Sequence, residues 1–146
     1  TVTRLLDMDV ESFLITSALE GVLAQRLMRK ICRDCRQGFR PDPQEMEELG
    51  VPKSWQKSND FKLYRPKGCP ACDYIGYKGR TGVYELLTIN DDLREMILDR
   101  AMTQDMRKYA RKKQGMLTLR EEALMKAVKG LTSAEEVIEH TELFVD

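Results

Sequence analysis

Two C-x-x-C pairs place the strongest constraint on how this chain can fold. They read C-R-D-C at residues 32–35 and C-P-A-C at residues 69–72, and residues 36–68 separate them. Each pair can place two thiolates on one turn, and two such turns supply the closed tetrahedral sulfur site that structural zinc prefers. The long linking segment is tolerable because the cost of loop closure grows slowly with length. We therefore predict one structural zinc ion bound by Cys32, Cys35, Cys69 and Cys72.

The competing interpretations of the cysteines are a redox dithiol and four unrelated buried thiols. A thioredoxin-like C-x-x-C belongs between a strand and a helix in an α/β pattern, which the sequence does not predict here. No secretory signal opens the chain, so a reducing cytoplasm is expected, and this favours metal over disulfides. A catalytic zinc site would need an open position, whereas four cysteines leave none. His140, the one histidine, lies far along the chain from the cysteines.

The first segment, residues 1–31, is predicted to be helical. Hydrophobic residues make up 42% of the chain and charged residues 33%, which is a globular composition. Apolar residues recur at helical spacing over residues 10–30, so one long amphipathic helix is expected there, with Asp9 as its N-cap. Charged residues interrupt the apolar stretch at residues 13–31, which therefore suits no bilayer span.

The middle segment, residues 32–82, is predicted to be an irregular zinc module. It is rich in glycine and proline, with a short acidic helix at residues 44–49 and a short strand at 61–64. The glycine-rich stretch at 76–82 is predicted to be a tight turn, with a ligand loop as the alternative. A second short strand follows at residues 83–87. Few core residues are expected in this segment, so we expect the metal-bound cysteines to hold it together.

The last segment, residues 83–146, is predicted to be a short strand followed by a helical bundle. Asn90 or Asp91 can cap one helix, and Thr103 can cap another that stops at Gly115. Residues 118–121 and 133–136 fit the capping box, and Gly130 separates those two helices. The expected fold is mostly α with a small irregular or β zinc module.

Basic residues crowd the first cysteine pair between residues 26 and 40, although the net charge of the chain is zero. This patch could meet phosphate groups or acidic protein surfaces. The favoured alternative is a solvated face whose part at residues 26–30 complements a helix C-terminal dipole. The chain lacks a phosphate loop, a G-x-S-x-G elbow and an H-E-x-x-H pair, so by its own residues it is not expected to be an enzyme.

Several motifs in this order resemble one protein family. They are T-R-L-L-D-M at residues 3–8, G-V-L-A-Q-R-L at 21–27, the two C-x-x-C pairs and the glycine-rich stretch at 76–87. Together they resemble the C-terminal part of the secretion ATPases, which drive type II secretion or type IV pilus assembly. Asp9 stands where this family usually has glycine, and Ser12 where proline is common.

The resemblance implies a fragment of a RecA-like α/β motor that forms a homo-hexamer and uses ATP and Mg, with the catalytic residues upstream of Thr1. It implies that Cys32, Cys35, Cys69 and Cys72 bind zinc and that Arg80 lies near the adenine of the nucleotide. Inner-membrane secretion or pilus platform proteins would be the partners. The expected location is cytoplasmic and peripheral at the inner membrane, without direct insertion.

A free-standing zinc-binding adaptor or nucleic-acid module is the rival interpretation, and it depends on the basic stretch. Single-strand binding favours aromatic residues between the charges, but only Phe39 lies there. We therefore expect no nucleic-acid partner.

Overall fold

The computed structural model describes residues 1–144, and this part of the chain is a mixed α/β structure with small sheets. Helical residues outnumber strand residues, as predicted, but the strands are longer than expected. In order, the elements are α1 (Val2–Asp7), α2 (Ser12–Ala18), β1 (Gly21–Ile31), β2 (Gln37–Phe39), α3 (Pro43–Leu49), α4 (Lys53–Gln56), β3 (Leu63–Arg65), a 3-10 turn (Pro70–Cys72), β4 (Tyr77–Thr88), α5 (Asp91–Leu98), α6 (Thr103–Gln114), α7 (Leu119–Val128) and α8 (Ala134–His140).

The predicted helix over residues 10–30 is wrong, because α2 ends at Ala18 and β1 follows from Gly21. Met28 and Ile31 are the buried residues of β1, and their spacing of three imitates a helical stripe. Leu27, which contributed to the predicted stripe, is instead exposed. Asp9 is not an N-cap either, since Glu11 holds that position in α2. Asp9 has φ 61°, in the left-handed region where glycine costs least.

Strands β1 and β4 form one two-stranded sheet. Near one end the Ile89 N–H donates to the Glu20 carbonyl at 3.0 Å, and at the other the Cys32 N–H donates to the Gly76 carbonyl at 2.9 Å. The start of β1 thus lies beside the end of β4, so the two strands run antiparallel. The tight turn predicted over residues 76–82 is wrong, because β4 already begins at Tyr77.

A second, shorter sheet pairs β2 with β3 in antiparallel register, with Gly38 opposite Tyr64. The predicted strand at residues 61–64 is therefore displaced to Leu63–Arg65, and β2 was not predicted. The acidic helix at residues 44–49 is confirmed as α3. The capping box between Asp42 and Glu45 begins this helix, and Gly50 ends it with φ 71°.

One compact unit consists of Thr1–Ala24 and Glu85–Leu117. Its core contains Val2, Ile15, Ile89, Leu93, Ile97 and Met106. The predicted cap at Asn90 is confirmed, because its side chain accepts a hydrogen bond from the Leu93 N–H at 3.1 Å. Helix α6 stops at Gly115 as predicted, but its N-cap is Met102 rather than Thr103.

The other compact unit consists, within the described residues, of Gln25–Tyr84 and residues 118–144. Its core draws on β1, the segment between the cysteine pairs, β4, α7 and α8, through Met28, Met46, Leu49, Val51, Phe61, Leu63, Val83, Ala123, Leu124, Ala127 and Val137. The expectation that the middle segment has few core residues is therefore wrong. Residues 46–63 contribute five buried apolar side chains of their own.

The capping box of α7, between Thr118 and Glu121, is confirmed. In α8 the Ser133 side chain accepts the Glu136 N–H at 3.3 Å, but the Glu136 carboxylate binds Arg29.

Val145 and Asp146, the end of the predicted 83–146 segment, lie outside the described residues. As a division into domains, the three consecutive segments stay a prediction. Over residues 1–144, no helix has the length and apolar character needed to cross a membrane.

Candidate metal centre

The four cysteine thiols lie together, just after the end of β1 and just before the start of β4. Cys32 follows the last residue of β1, and Cys35 lies in the turn that comes next. Cys69 immediately precedes the 3-10 turn that comes before β4, and Cys72 is the last residue of that turn. All four sulfur atoms lie within 4.8 Å of one another, and we call them the cysteine cluster. The structure therefore brings together the four residues that the sequence paired as ligands.

The spacing of the sulfur atoms fits a tetrahedral metal site. A metal–sulfur bond of about 2.3 Å implies tetrahedral sulfur–sulfur edges of about 3.8 Å. The Sγ atoms of Cys32 and Cys69 are 3.9 Å apart, as are those of Cys35 and Cys72. Those of Cys69 and Cys72 are 3.8 Å apart. A disulfide would require about 2.05 Å, so the geometry is that of four free thiols around a common centre.

Backbone N–H groups point at the sulfur atoms and favour their thiolate forms. The Gly68 N–H donates to Cys35 Sγ at 3.2 Å, and the Cys69 and Gly76 N–H groups donate to Cys72 Sγ at 3.3 and 3.2 Å. Glycine is required at position 68, where φ is 91° and an added Cβ would lie 2.7 Å from the Tyr74 carbonyl oxygen. The glycines of the segment thus serve close backbone packing around the sulfurs.

Two of the thiols have opposite tendencies to ionise. Burial raises the pKa of Cys69, and the neighbouring Cys72 thiol raises it further, to about 11. Burial also acts to raise the pKa of Cys72, but the N–H groups of Cys69 and Gly76 outweigh this effect and lower that pKa to about 7. Of the two thiols, Cys72 therefore loses its proton more readily than Cys69. A metal ion that binds all four sulfurs must displace protons.

The cysteine cluster is largely shielded from solvent and has a purely sulfur donor set. Cys32, Cys35 and Cys72 are buried, and Cys69 is half-buried. His140 lies elsewhere, with Nε2 at 3.4 Å from the Glu136 carboxylate. It forms a second group of possible metal-binding atoms with Glu136 and Glu139. Glu136 is already bound by Arg29 at 2.6 Å, so this second group is an ion-pair cluster and the cysteines are the metal-site candidate.

Arg80 is exposed on β4, away from the turn in which the sequence placed it. It lines an open cavity of about 280 Å³ together with Arg29, Glu136, Glu139 and His140. No carboxylate of the described residues forms an ion pair with its guanidinium. The approach of Arg80 to the adenine of a nucleotide stays a prediction.

The basic stretch between residues 26 and 40 divides into bound and exposed side chains. Arg36 donates to the Gly130 carbonyl and stacks 4.7 Å above the Tyr64 ring. Arg40 donates to the carbonyls of Ser58 and Gln56, both at 2.7 Å. Residues 26–30 lie on β1, so the predicted complement to a helix dipole is wrong. Much of this stretch serves to hold the fold together.

Arg29 and Glu136 form an interaction that the sequence analysis missed. The Arg29 Nε donates to Glu136 Oε1 at 2.7 Å, and the carboxylate of Glu136 is fully buried. The Glu136 carboxylate raises the pKa of the guanidinium. No short motif marks this pair, because the two residues lie in distant parts of the chain. The only sequence indication was a glutamate in the first turn of a predicted helix, which the capping box explained equally well.

Comparison with known proteins identifies close relatives. The profile of a family described as "Type II/IV secretion system protein" matches residues 1–139. The type IV pilus assembly ATPase PilB of Thermus thermophilus is 41% identical over 140 residues, which cover 96% of this chain and 15% of that protein. The type II secretion system ATPase E of Vibrio cholerae is 45% identical over 140 residues, covering 96% of this chain and 27% of that protein.

A third relative is the type IV pilus assembly ATPase PilB of Myxococcus xanthus, 37% identical over 142 residues, which cover 97% of this chain and 25% of that protein. The chain thus spans well under a third of the length of these relatives. The resemblance predicted from the motifs is confirmed.

We predict that the affinity of the cysteine cluster for Zn²⁺ falls as the pH is lowered. Below its pKa of about 11, Cys69 must release a proton, and Cys72 adds a second as the pH drops below about 7. The affinity should therefore fall at least about ten-fold between pH 8 and pH 7, and more steeply below. Competition with a chromophoric chelator, corrected for protonation of the chelator, measures this. An affinity independent of pH in this range would contradict thiolate ligation.

Proposed function

This chain belongs to the type II/IV secretion system protein family, and we propose that it is the zinc-binding C-terminal region of a hexameric ATPase that powers type II protein secretion or type IV pilus assembly. The observation that carries the proposal is the cysteine cluster within a chain that the family profile matches over residues 1–139. The role of this region would be structural and coupling, while the parent protein hydrolyses ATP.

Zinc is the proposed metal because of the donor set. Four soft thiolate ligands in a tetrahedral arrangement select zinc or an iron centre among common metals, and zinc forms closed sites of this type when its role is structural. The backbone N–H groups that donate hydrogen bonds to the Cys35 and Cys72 sulfur atoms offset part of the negative charge that four thiolates carry. Such a site contributes to folding and leaves no position for a substrate.

ATP and Mg are proposed as ligands of the parent protein rather than of this region alone. Relatives from both the type IV pilus and the type II secretion systems are named as ATPases. This chain corresponds to 15% and 27% of the length of two of them. We propose that the parent has a RecA-like motor that assembles as a hexamer. It would act in the cytoplasm and reach the inner membrane through platform proteins of the secretion or pilus system.

Arg80 is proposed to approach the adenine of bound ATP. Its guanidinium is exposed on β4 and lines an open cavity of about 280 Å³. A planar cation of this kind can stack on an aromatic base. The nucleic-acid module is the weaker alternative, because Arg36 and Arg40 of the basic stretch are engaged within the fold.

We predict that the reduced chain binds one zinc ion and that chelation loosens the two cysteine turns first. Residues 46–63 keep their own packing in the core, so hydrogen exchange should accelerate more at residues 32–36 and 68–76 than in α7. Elemental analysis gives the stoichiometry, and amide hydrogen exchange with and without chelator gives the location. Protein kept reduced but free of zinc would contradict the proposed site.

We predict that Cys32→Ser in the full-length parent impairs secretion or pilus assembly through local unfolding. Structural zinc contributes on the order of ten kcal/mol in small zinc peptides, which is comparable to the whole stability of a domain. Secretion or piliation should be largely lost, and the cysteine turns should become sensitive to protease. Ser54→Ala, an exposed change in α4 of the same segment, is the control and should leave both unchanged. A Cys32→Ser protein that kept zinc, fold and function would refute the proposal.

We predict that Arg80→Ala in the full-length parent weakens nucleotide binding about ten-fold, since a desolvated cation–π contact is worth about 1 to 2 kcal/mol. The melting temperature should change little, because no described carboxylate pairs with the guanidinium. Arg26→Ala removes an exposed arginine from β1 and serves as the control. Unchanged nucleotide affinity together with a lowered melting temperature would favour a purely structural role.

A further inference from the structure

The chain between α7 and α8 holds the strand that leads into the first cysteine pair. The Ile31 N–H donates to the Leu131 carbonyl at 3.0 Å, and the Thr132 hydroxyl donates to the Arg29 carbonyl at 2.8 Å. The Arg29 N–H donates to the Glu136 carboxylate at 2.7 Å. These groups occupy the outer edge of β1 in the way that a neighbouring strand would. They fix the backbone immediately before Cys32.

The same part of the chain also contacts the far side of the first cysteine pair and the start of β4. The Arg36 guanidinium, one residue beyond Cys35, donates to the Gly130 carbonyl. The hydroxyl of Tyr77, the first residue of β4, lies 2.8 Å from that of Ser133. The Tyr77 ring also lies 4.1 Å from the Arg29 guanidinium. Residues 130–136 therefore contact the chain on both sides of the first cysteine pair and the first residue of β4.

Side chains of helix α7 form hydrogen bonds with backbone groups on the outer edge of β4. The Glu122 carboxylate accepts the Tyr84 N–H, and the Lys126 ammonium donates to the Gly82 carbonyl. Glu122 and Lys126 also pair with each other at 3.3 Å. The α7–α8 hairpin, which we define as residues 119–140, thus supplies side chains to both strands that carry the cysteine turns.

Glu136 is central to this arrangement because its carboxylate is fully buried and binds three donors of Arg29. These donors are the backbone N–H, Nε and Nη2, at 2.7, 2.7 and 2.6 Å. A buried carboxylate is costly unless such donors satisfy it, so α8 docks favourably only where β1 presents Arg29 in this position.

We propose that the α7–α8 hairpin positions the first cysteine pair for metal binding, so that docking of α8 and zinc binding strengthen each other. The inference rests on the zinc site of the proposed function. Metal binding holds Cys32 and Cys35 in place and thereby holds the Arg29 edge against α8. By linkage, whatever factor docking of α8 adds to zinc affinity, zinc adds to the docking of α8.

The first test compares zinc affinity in the 146-residue chain and its Glu136→Gln variant, by chelator competition at pH 8. Glutamine keeps the shape of the side chain but removes the charge that Arg29 binds. Zinc affinity should fall on the order of ten-fold, within the usual range of coupling between sites. Glu135→Gln removes an exposed charge from the same helix and is the matched control, with unchanged affinity expected.

Two further measurements separate positioning from a merely structural role. The rise in melting temperature that zinc gives should be smaller in Glu136→Gln than in the wild type. Removal of zinc from the wild type should accelerate hydrogen exchange in α8 by a factor similar to the loss of zinc affinity in the variant. A folded Glu136→Gln variant with the affinity of the wild type would overturn the proposal.

A second pair of variants keeps the test decisive should Glu136→Gln fail to fold. Tyr77→Phe removes only the hydroxyl that meets Ser133, and Tyr74→Phe makes the same change at an exposed position of the same segment. Tyr77→Phe should weaken zinc binding several-fold and Tyr74→Phe should not. Equal affinities in these two variants would overturn the inference alone, whereas a wild-type chain that binds no zinc would overturn the proposed metal site as well.

Discussion

The pairing of β1 with β4 joins two distant parts of the sequence, and the position of the cysteine cluster depends on it. β1 ends immediately before Cys32, and β4 begins just after the second cysteine turn. The hydrogen bond from the Cys32 N–H to the Gly76 carbonyl therefore sets the two turns side by side. Closing this long segment costs chain entropy, and the pairing of the two strands offsets part of that cost. The four thiols consequently converge to tetrahedral spacing as a result of the fold.

A two-stranded sheet leaves two edges with backbone groups that need partners, and helices satisfy them in part here. Glu136 and Thr132 bind the edge of β1, while Glu122 and Lys126 bind the edge of β4. Unsatisfied edges invite pairing with other chains, so these side chains also limit aggregation. The arrangement links the C-terminal helices to the strands that carry the proposed zinc site.

The ion pair between the exposed Arg29 side chain and the buried Glu136 carboxylate contributes more to specificity than to stability. Desolvation of a buried carboxylate offsets most of the attraction to its partner. Only one register of β1 against α8 brings the Arg29 N–H and guanidinium to the same carboxylate, and other registers leave that charge unpaired. This selects the alignment in which Cys32 follows directly at the end of the strand.

Local chemistry in the sequence predicted several features correctly. The C-x-x-C pairs indicated a shared thiol site, and the caps at Asn90 and Thr118 and the stop at Gly115 were each found. Each C-x-x-C pair, cap and helix stop depends on residues within a few positions of each other. A short stretch of sequence is therefore enough to predict it. The family motifs likewise needed no tertiary information, and the comparison confirmed them.

Long-range pairing decided what the sequence left open. Residues 21–31 carry apolar side chains that fit a helical stripe, yet they form β1 because β4 offers a partner and α8 offers Glu136. The glycine-rich stretch after Gly76 is part of a strand for the same reason. Sequence alone thus determined which residues form the candidate metal site and where several helices begin and end. Tertiary structure decided that β1 is a strand and that Glu136 is buried, because hydrogen bonds between distant residues outweigh local helical preference.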